Sequence, residues 1–519
     1  MNSPWSDSVD VRGKSDVDDF PDESDIDTFT ASPASTTTSF DSVELEKGYA
    51  KAKYGFISEQ TLSFQIAEKE RIEHISNQHP LPEKNSPESK SRFLRLHFWS
   101  TYRVLFVIVF LANLAVLIAL SVPKSLISTS LSSENTATAV SCNLLVAIAA
   151  RNEHVVNMLF ACAVHIPLNV PLRIRTYAAK VYGYGGMHSG CAIAAVSWYI
   201  LYVGLLTRDN IQNGFKDLPT MVIGYSILAL LLSIVILAYP SLRIRYHDVF
   251  ENVHRFAGWS AIALFWAQIP VSAYLQSQQT KVAMGKILIQ TPTFWILIAI
   301  TLLIIYPWTN LRLRTVEAEV LSPHAMRLYF PHGHLLSAQG VRLTDAPLKE
   351  THSFATIPNP HGAKGFSVII SNAGDWTNRM IQNPPAKLWM RGLPTTGMLH
   401  VALAFRKCVI VTTGSGIGPC LSVFAGSPEY VSRILWSTPK PLETYGVGLV
   451  SEVMAADPEA VIIDTRLTGR PDLTKLAYSL YKETDAEAVL VMSNQKVVES
   501  VVGELEARGV PAFGPIFDS

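Results

Sequence analysis

The chain has 519 residues, of which 48% are hydrophobic and 17% are charged, and its mean hydropathy is +0.22. It is too apolar for an ordinary soluble protein and too charged to lie wholly in lipid, so we expect a membrane protein with soluble parts. The 43 basic and 43 acidic residues balance and form no dense basic block, so nothing in the charge indicates a nucleic-acid partner. Five cysteines without CxxC spacing indicate reduced thiols, not a disulfide framework or a zinc site.

Residues 1–90 are rich in Ser, Thr, Asp and Pro, and they predict an acidic, disordered tail. So few apolar side chains cannot offset the entropy of ordering the chain. Only a short amphipathic helix near residues 59–75 is expected there. The opening residues, MNSPWSDSVD, lack the basic segment and apolar run of a cleaved signal peptide, which favours a cytosolic N-terminus.

Apolar runs follow, each close to the ~20 residues that a helix needs to cross the ~30 Å hydrocarbon core of a bilayer. The runs lie at residues 104–122, 141–165, 187–206, 219–239, 256–276 and 292–309. Lys and Arg concentrate before the first run and in alternate loops, which places both termini in the cytosol. Residues 91–310 are therefore predicted to form a six-helix transmembrane domain in a lipid bilayer.

The second run carries ionisable side chains in its middle, in RNEHVVNMLFACAVH. Such groups are costly in hydrocarbon unless they face the interior of the bundle and pair, so they predict a functional pocket in the membrane. The pocket residues would be Arg151, Glu153, His154 and His165. Two interpretations stay open: a buried ion-pair network that locks the helices, or a site for a ligand, haem or substrate.

The last 200 or so residues have the composition of globular domains. Alternation in LRLRTVEAEVLSPHAMRLYF predicts half-buried strands, and hence a small antiparallel β-barrel over residues 311–400. Residues 401–519 place apolar strands such as KCVIVTTG and AVLVMSN between helical stretches. That order predicts an α/β domain with a doubly wound parallel sheet.

The stretch VTTGSGIGPC, residues 411–420, places glycines where a strand should end and a helix begin. Gly414, Gly416 and Gly418 would let backbone N–H groups at a helix N-terminus approach a pyrophosphate. Pro419 stands where a dinucleotide fingerprint has its third glycine, and no Walker-type Gly-Lys-Ser/Thr follows. On its own, the pattern leaves open a glycine-rich turn that binds nothing.

Two upstream stretches, THSFATIP at 351–358 and GFSVIISNAGDWTNRMI at 365–381, precede this turn. Their order and spacing resemble the flavin- and nucleotide-binding half of the ferric reductase and NADPH oxidase superfamily. The chain looks most similar to fungal TmpA-like membrane flavoproteins, whose domain also ends some adenylate-forming synthetases. The resemblance implies a ferredoxin-reductase-like module that binds FAD and NAD(P)H, and a location in the plasma membrane.

For the flavin, the resemblance implies that His352 and Phe354 border the isoalloxazine ring, and the end of the chain, GVPAFGPIFDS, offers Phe513 or Phe517 as a ring to shield it. Ala355 replaces the Thr or Ser that usually follows the Phe, which leaves Thr356 as the candidate hydrogen-bond partner of the flavin. The phosphate site would comprise Gly374, Asp375, Trp376 and Thr377.

For the nucleotide, the resemblance implies that the three glycines and Pro419 cradle the pyrophosphate. The residues beside the adenosine ribose would be Trp436, Ser437 and Lys440. Lys440 and Arg433 give a slight preference for NADPH over NADH. Cys420, next to the turn, is a candidate for the hydride path, and a buried inert thiol is the alternative.

Members of that superfamily hold two haems between histidines of the third and fifth helices. Here His188 and His254 begin these two helices at one depth, so they are candidate ligands of one haem b. The positions thirteen and fourteen residues further on hold Leu201, Tyr202, Ala267 and Gln268, none of which is a usual haem ligand. At most one haem is expected.

Together these features predict a membrane oxidoreductase that passes electrons from cytosolic NAD(P)H through FAD to an acceptor at or within the membrane. The acceptor is unknown, either one inner haem or a lipophilic substrate. Two alternatives stay open. One is a two-haem transmembrane ferric reductase or NADPH oxidase, and the other is a membrane signalling protein that keeps a reductase fold without turnover.

Overall fold

The computed structural model describes residues 65–83, 100–121, 131–212, 214, 217–359, 362–427, 430 and 432–517. The predicted disorder of residues 1–64 and 84–90 lies outside the described residues. Residues 65–78 form helix α1. Ile72 joins the apolar core of the α/β domain, and the Ser479 hydroxyl donates to the Ile75 carbonyl. This part of the predicted tail is therefore a packed helix, because its apolar face covers that domain.

A helical region precedes the first strand. Its helices are α2 Thr101–Ser121, α3 Ser133–Ala149, α4 Glu153–Val164, α5 Leu172–Ala179, α6 Gly185–Gln212, α7 Leu218–Leu237, α8 Pro240–Arg245, α9 His247–Thr280, α10 Met284–Gln290 and α11 Pro292–Thr309. In the described part of the chain, five helical segments are long and apolar enough to cross a membrane, and a sixth is if α3 and α4 count as one. α11 leads into the first strand through Asn310 and Leu311 alone.

The second predicted crossing is a bent pair of helices. α3 and α4 meet at 67° around residues 150–152. Beyond the bend, Val156 and Phe160 join the apolar core of the α/β domain. The Asn157 side chain accepts a hydrogen bond of 2.8 Å from the Thr396 backbone N–H. α4 thus packs on the domains that follow, because its buried face matches their apolar surface.

The first of these domains is an antiparallel sheet. Its strands are β1 Arg312–Thr315, β2 Glu317–Ser322, β3 Ala325–Phe330, β4 Gln339–Thr344, β5 His352–Pro358, β6 Phe366–Ser371 and β7 Lys387–Thr396, in the order β1-β7-β4-β5-β6-β3-β2. The two edge strands are separated in sequence by Val316 alone, so the chain itself brings the edges together and curls the sheet. Helix α12, Asp375–Gln382, turns Trp376, Met380 and Ile381 into the core of the sheet.

The second domain is a five-stranded parallel sheet. Its strands are β8 Cys408–Thr413, β9 Ser432–Thr438, β10 Val461–Asp464, β11 Ala488–Met492 and β12 Ala512–Phe513, and its helices are α13 Ile417–Gly426, α14 Pro441–Ala456, α15 Thr465–Thr468, α16 Leu473–Glu483 and α17 Gln495–Glu506. The order β10-β9-β8-β11-β12 reverses at β8, as in a doubly wound sheet. The predicted antiparallel sheet, curled into a half-barrel, and the predicted parallel sheet are confirmed. Ligands of such sheets bind where the order reverses, at the carboxyl ends of the strands.

Ion pairs join the helical region to both domains. Arg175 of α5 is 2% exposed and forms a bidentate pair with Glu487 at 2.7 and 2.9 Å. Glu153 of α4 is 1% exposed and pairs with Arg342 of β4. Gly392, at φ +75°, lies against this second pair, where any side chain would overlap both partners. The helical region and the two domains therefore share a polar, buried boundary.

Candidate functional site

The glycine turn lies at the reversal point of the parallel sheet. β8 ends at Thr413, Gly414–Gly416 form one turn of 3-10 helix, and α13 begins at Ile417. Gly414 has φ +52°, a conformation that glycine adopts without strain. Trp436 is fully buried, and its Nε1 donates a hydrogen bond of 2.9 Å to the Gly414 carbonyl. The turn is thus held from below by β9, with its backbone N–H groups at the start of a helix.

Close packing fixes the rest of the turn. A Cβ at Gly416 would lie 2.7 Å from the Met492 carbonyl oxygen of β11 and would overlap the Thr412 hydroxyl. A Cβ at Gly418 would lie 3.6 Å from the side chain of Ile369 in β6. The turn therefore sits between β11 and the antiparallel sheet, which is the position a nucleotide shared by the two domains would need.

An aromatic cluster lies on the antiparallel sheet. The rings of His352 and Trp376 stack with centroids 4.3 Å apart, and Phe354 stacks on Trp376 at 5.8 Å. His352 Nε2 and Trp376 Nε1 are buried and have no hydrogen-bond partner in the described chain. Burial lowers the pKa of His352, so its ring is uncharged near neutral pH. Buried polar groups are normally paired, so these two nitrogens fit a polar, aromatic ligand such as a flavin.

The turn before α12 was predicted to hold flavin phosphates. Gly374 precedes the helix, and the Thr377 hydroxyl accepts hydrogen bonds from the backbone N–H groups of Ala373 and Gly374 at 2.9 and 3.0 Å. Asp375 is exposed in the first turn of the helix. Two N–H groups of the turn are therefore already paired and a carboxylate stands beside them, so the turn offers less to a diphosphate than its sequence indicated.

Two predicted catalytic residues are turned into the core. Thr356 is fully buried, and its hydroxyl donates to the Gln339 carbonyl at 2.8 Å. Cys420 is fully buried on α13, and burial raises the pKa of its thiol far above the ordinary value. The predicted hydrogen-bond and hydride-path roles do not suit these side chains, whose hydrogen bond or burial serves packing.

Of the residues predicted to lie beside the ribose, two are buried in the core and one is exposed. Trp436 is core and Ser437 is buried beside it, whereas Lys440 is exposed, with its Nζ 2.9 Å from Glu443. Arg433 lies at the opposite end of β9, where it pairs with Asp457. Arg433 therefore does not face the glycine turn, and it gives no support to NADPH over NADH.

Phe517 lies against the helical region, where its carbonyl accepts a hydrogen bond of 3.0 Å from the Arg243 side chain of α8.

The sequence analysis missed Asp464, at the carboxyl end of β10. Its Oδ1 accepts from the backbone N–H groups of Lys440 and Arg466, both at 2.9 Å. It thereby ties together the loops that follow β9 and β10, beside the glycine turn. An aspartate that ends the strand AVIID was the available signal.

The predicted membrane pocket is a corner between the helical region and the two domains. Glu153 pairs with Arg342, and His154 Nε2 is 2.7 Å from the Tyr306 hydroxyl. His165 is exposed and bonds the Ala161 carbonyl, while Arg151 is exposed with its guanidinium 6.0 Å from the centre of the Tyr184 ring. The bend at 150–152 sends these side chains to different partners, and a ligand pocket among them stays a prediction.

His188 and His254 are neighbours, with ring centroids 6.4 Å apart and planes inclined at 58°. His188 Nδ1 bonds the Ala147 carbonyl at 2.8 Å. No group of three or more metal-ligating side chains occurs among the described residues. The two histidines therefore come together as predicted, while a haem between them stays a prediction.

Comparison with known proteins places this geometry among reductases. The protein-family model described as "Adenylate-forming reductase 03009, C-terminal domain" matches residues 398–519. Adenylate-forming reductases 03009 and 06235 of Coprinopsis cinerea are 45% and 43% identical to this chain over 430 and 431 residues, respectively. Each match covers 82% of this chain and 41% of the relative, so the chain spans about two fifths of their length.

Solved structures resemble the chain only distantly. The ferredoxin NADP+ reductase from Neisseria gonorrhoeae with bound FAD and NADP is 13% identical, with TM-score 0.34 over 40% of this chain and 99% of that one. Phthalate dioxygenase reductase is 11% identical, with TM-score 0.31 over 40% of this chain and 68% of that one. Likeness at this level carries no argument about ligands.

These relatives correct the predicted family and function. The resemblance to the ferric reductase and NADPH oxidase superfamily and to TmpA-like flavoproteins was wrong, because the matching family model and both relatives are named adenylate-forming reductases. The predicted electron path to a membrane acceptor was therefore also wrong. So were the two-haem alternative and the description of the chain as a ferric-reductase-like protein of transmembrane electron transport. The Tyr202 and Gln268 positions had already argued against a second haem.

Proposed function

We propose that this chain is an NAD(P)H-dependent oxidoreductase that uses FAD. The observation that carries the proposal is the position of the glycine turn. It ends the central strand of a doubly wound sheet, opens a helix, and packs against β6 of the antiparallel sheet that carries the aromatic cluster. Two ligands that exchange hydride must meet face to face, and this arrangement brings a nucleotide site and an aromatic site together.

On the nucleotide side, the chain supplies backbone donors and close access. The N–H groups at the start of α13 and the positive end of its dipole would hold a pyrophosphate. Trp436 keeps Gly414 in place through its hydrogen bond, and Asp464 orders the neighbouring loop. These residues would orient NAD(P)H, which acts as the reducing substrate.

On the flavin side, the partly exposed rings of His352 and Phe354 would lie against the ring system, with Trp376 packed beneath them. His352 Nε2 and Trp376 Nε1 would gain partners that they lack in the described chain. When bound, FAD supplies a hydride acceptor for NAD(P)H. The low pKa of His352 keeps a positive charge away from the stack, so the residue acts as a neutral hydrogen-bonding group.

The relatives suggest the substrate class. We propose that the reducing equivalents serve a carboxyl group activated as an adenylate or a derived thioester, as the name adenylate-forming reductase indicates for the relatives. In the balanced reaction, one NAD(P)H, one proton and one activated acyl group give an aldehyde, the oxidised nucleotide and the leaving group. This part of the proposal concerns the whole reaction of proteins that this chain matches over only part of their length.

The helical region is proposed to lie in a lipid bilayer, with the two domains and both termini on the cytosolic side. Large apolar side chains such as Ile108, Leu111 and Ile118 of α2 are exposed along its whole length. Exposed apolar faces of this extent are costly in water and favourable in lipid. Limited proteolysis of sealed vesicles that contain the chain tests this orientation. Protection of the two domains from added protease, together with cleavage in the loop before α7, would contradict it.

The proposed function is tested on the purified full-length chain. FAD released by denaturation should approach one per chain, and the protein should oxidise NADPH or NADH with ferricyanide as artificial acceptor. Absence of both flavin and nucleotide oxidation would overturn the proposal. The substrate class is tested separately, by supplying an acyl thioester with NADPH and measuring aldehyde. If the nucleotide is oxidised and no aldehyde forms, the acyl substrate is rejected, and the proposal of an FAD-dependent oxidoreductase stands.

A further inference from the structure

A cavity of about 310 Å³ lies in the helical region, away from the glycine turn. Its walls include the first residues of α3, α7 and α11, and the second halves of α6 and α9. The last turn of α11 leads into β1, so the wall residues Thr291 and Thr293 lie at the end of that helix remote from the sheet. The cavity is therefore at the far side of the helical region from the two domains.

The inner surface of the cavity is polar at a depth where apolar packing would be expected. Gln268 is 4% exposed; its Oε1 accepts from the Tyr199 hydroxyl at 3.2 Å, and its Nε2 donates to the Tyr202 hydroxyl at 3.3 Å. Phe265 and Val140 are among the apolar residues of the wall. Burying such groups is costly when they are not well paired. An amide has two N–H donors and an oxygen that accepts two hydrogen bonds, so each end of Gln268 keeps capacity for a ligand.

The charge of the lining has one sign. Among the described residues that line the cavity, Glu134 and Asp217 are acidic and none is Lys, Arg or His. Asp217 Oδ1 is buried and has no hydrogen-bond partner in the described chain. Glu134 is exposed and stands at the opening. An unpartnered carboxylate oxygen in such a place is stabilised by a cation and destabilised by an anion.

We propose that this cavity binds a small organic cation with an apolar body. Its ammonium group would lie at Asp217, and its body against the rings of Tyr199, Tyr202 and Phe265, whose faces attract cations as well as apolar groups. The volume is at the lower end of the roughly 300–1,000 Å³ found for small-molecule sites, which fits a molecule with one ring or a short chain. The site is independent of the proposed reaction, because it shares no residue with the glycine turn or the aromatic cluster.

The test uses the full-length chain in detergent micelles and isothermal titration calorimetry with three probes that each carry one phenyl ring and differ in charge. These are benzyltrimethylammonium, benzyl alcohol and phenylacetate. We expect the ammonium probe to bind more tightly than the alcohol and the alcohol more tightly than phenylacetate. Asp217→Asn, which keeps the shape of the side chain, should weaken the ammonium probe about tenfold or more and leave the alcohol unchanged, as loss of a charged partner requires. Asp209→Asn is the matched control, since Asp209 pairs with Arg208 outside the cavity.

A second variant fixes the position of the probe. Ala273→Leu adds bulk to the cavity wall and should abolish binding of the ammonium probe. The proposal is overturned if the ammonium probe does not bind, if phenylacetate binds equally well, or if Asp217→Asn or Ala273→Leu binds the ammonium probe as the wild type does. The unfolding temperature of each variant, compared with that of the wild type, reports that the chain is folded.

Discussion

The glycine turn and the corner around α4 both bury polar groups at a boundary, and they do so by opposite means. The turn uses backbone groups, with Gly414 braced by Trp436 and Gly416 pressed against β11. The corner uses charged side chains, Glu153 with Arg342 and Arg175 with Glu487. A backbone site tolerates almost no change of residue but has a local sequence pattern. A side-chain site depends on partners that the pattern does not reveal.

The largest expected effect concerns the corner. Arg342→Met leaves the carboxylate of Glu153, 1% exposed, without its cation and should destabilise the chain by about 3–5 kcal/mol. Thermal unfolding of the purified chain measures it. The double variant with Glu153→Leu should recover much of the loss, because it removes the buried charge as well. If the double variant is as unstable as the single one, packing and not charge holds the corner.

The turn should respond in ligand affinity with little change in stability. Gly416→Ala brings a Cβ to 2.7 Å from the Met492 carbonyl, so the turn must shift. We expect nucleotide affinity to fall about tenfold, equivalent to ~1.4 kcal/mol. Gly503→Ala on α17, where the added Cβ meets nothing within 4 Å, is the control. Equal affinities in a fluorescence titration with NADPH would show that the turn does not hold the nucleotide.

A smaller loss of nucleotide affinity should follow when the hydrogen bond from Trp436 to Gly414 is removed and the glycine turn itself is unchanged. Trp436→Phe keeps the ring in the core but removes the 2.9 Å hydrogen bond to the Gly414 carbonyl, a change of about 1 kcal/mol. Nucleotide affinity should fall several-fold, while the unfolding temperature moves little. Trp295→Phe removes a similar bond, to the Ile289 carbonyl on the helical region, and should leave the affinity unchanged. Equal effects of the two variants would contradict the role of Trp436.

The smallest effect is a pH dependence at the aromatic cluster. Burial lowers the pKa of His352 in the folded chain, so below its ordinary value of about 6.5 the unfolded chain binds more protons. Stability should therefore fall as the pH drops through that value, and His352→Gln should flatten the fall. Exposed His334→Gln is the control. Unfolding midpoints between pH 5 and 8 measure it, and parallel curves for wild type and His352→Gln would refute it.

The sequence predicted the two domains well because their signals are local. The strands KCVIVTTG and AVLVMSN and the helix DLTKLAYSLYKE appear as β8, β11 and α16. It did not reveal the partner of Glu153, which in an apolar context suggested a pocket in mid-membrane, nor that of Arg175, one of the basic residues of a predicted loop. Their partners Arg342 and Glu487 lie 189 and 312 residues away. Likewise, Thr356 and Cys420 have suitable chemistry but face the core, and no pattern of residue types shows which way such a side chain turns.

The short link between α11 and β1 has a mechanical consequence. The 18 residues of α11 form a rod of ~27 Å, with the cavity wall at one end and an edge strand of the curled sheet at the other. Because only Asn310 and Leu311 intervene, a tilt at Thr293 must either move β1 against β7 or be absorbed within the rod. Pro307 has no backbone N–H to donate, so the rod lacks one helical hydrogen bond in its last turn and would bend there, next to the sheet, before it bends in its middle.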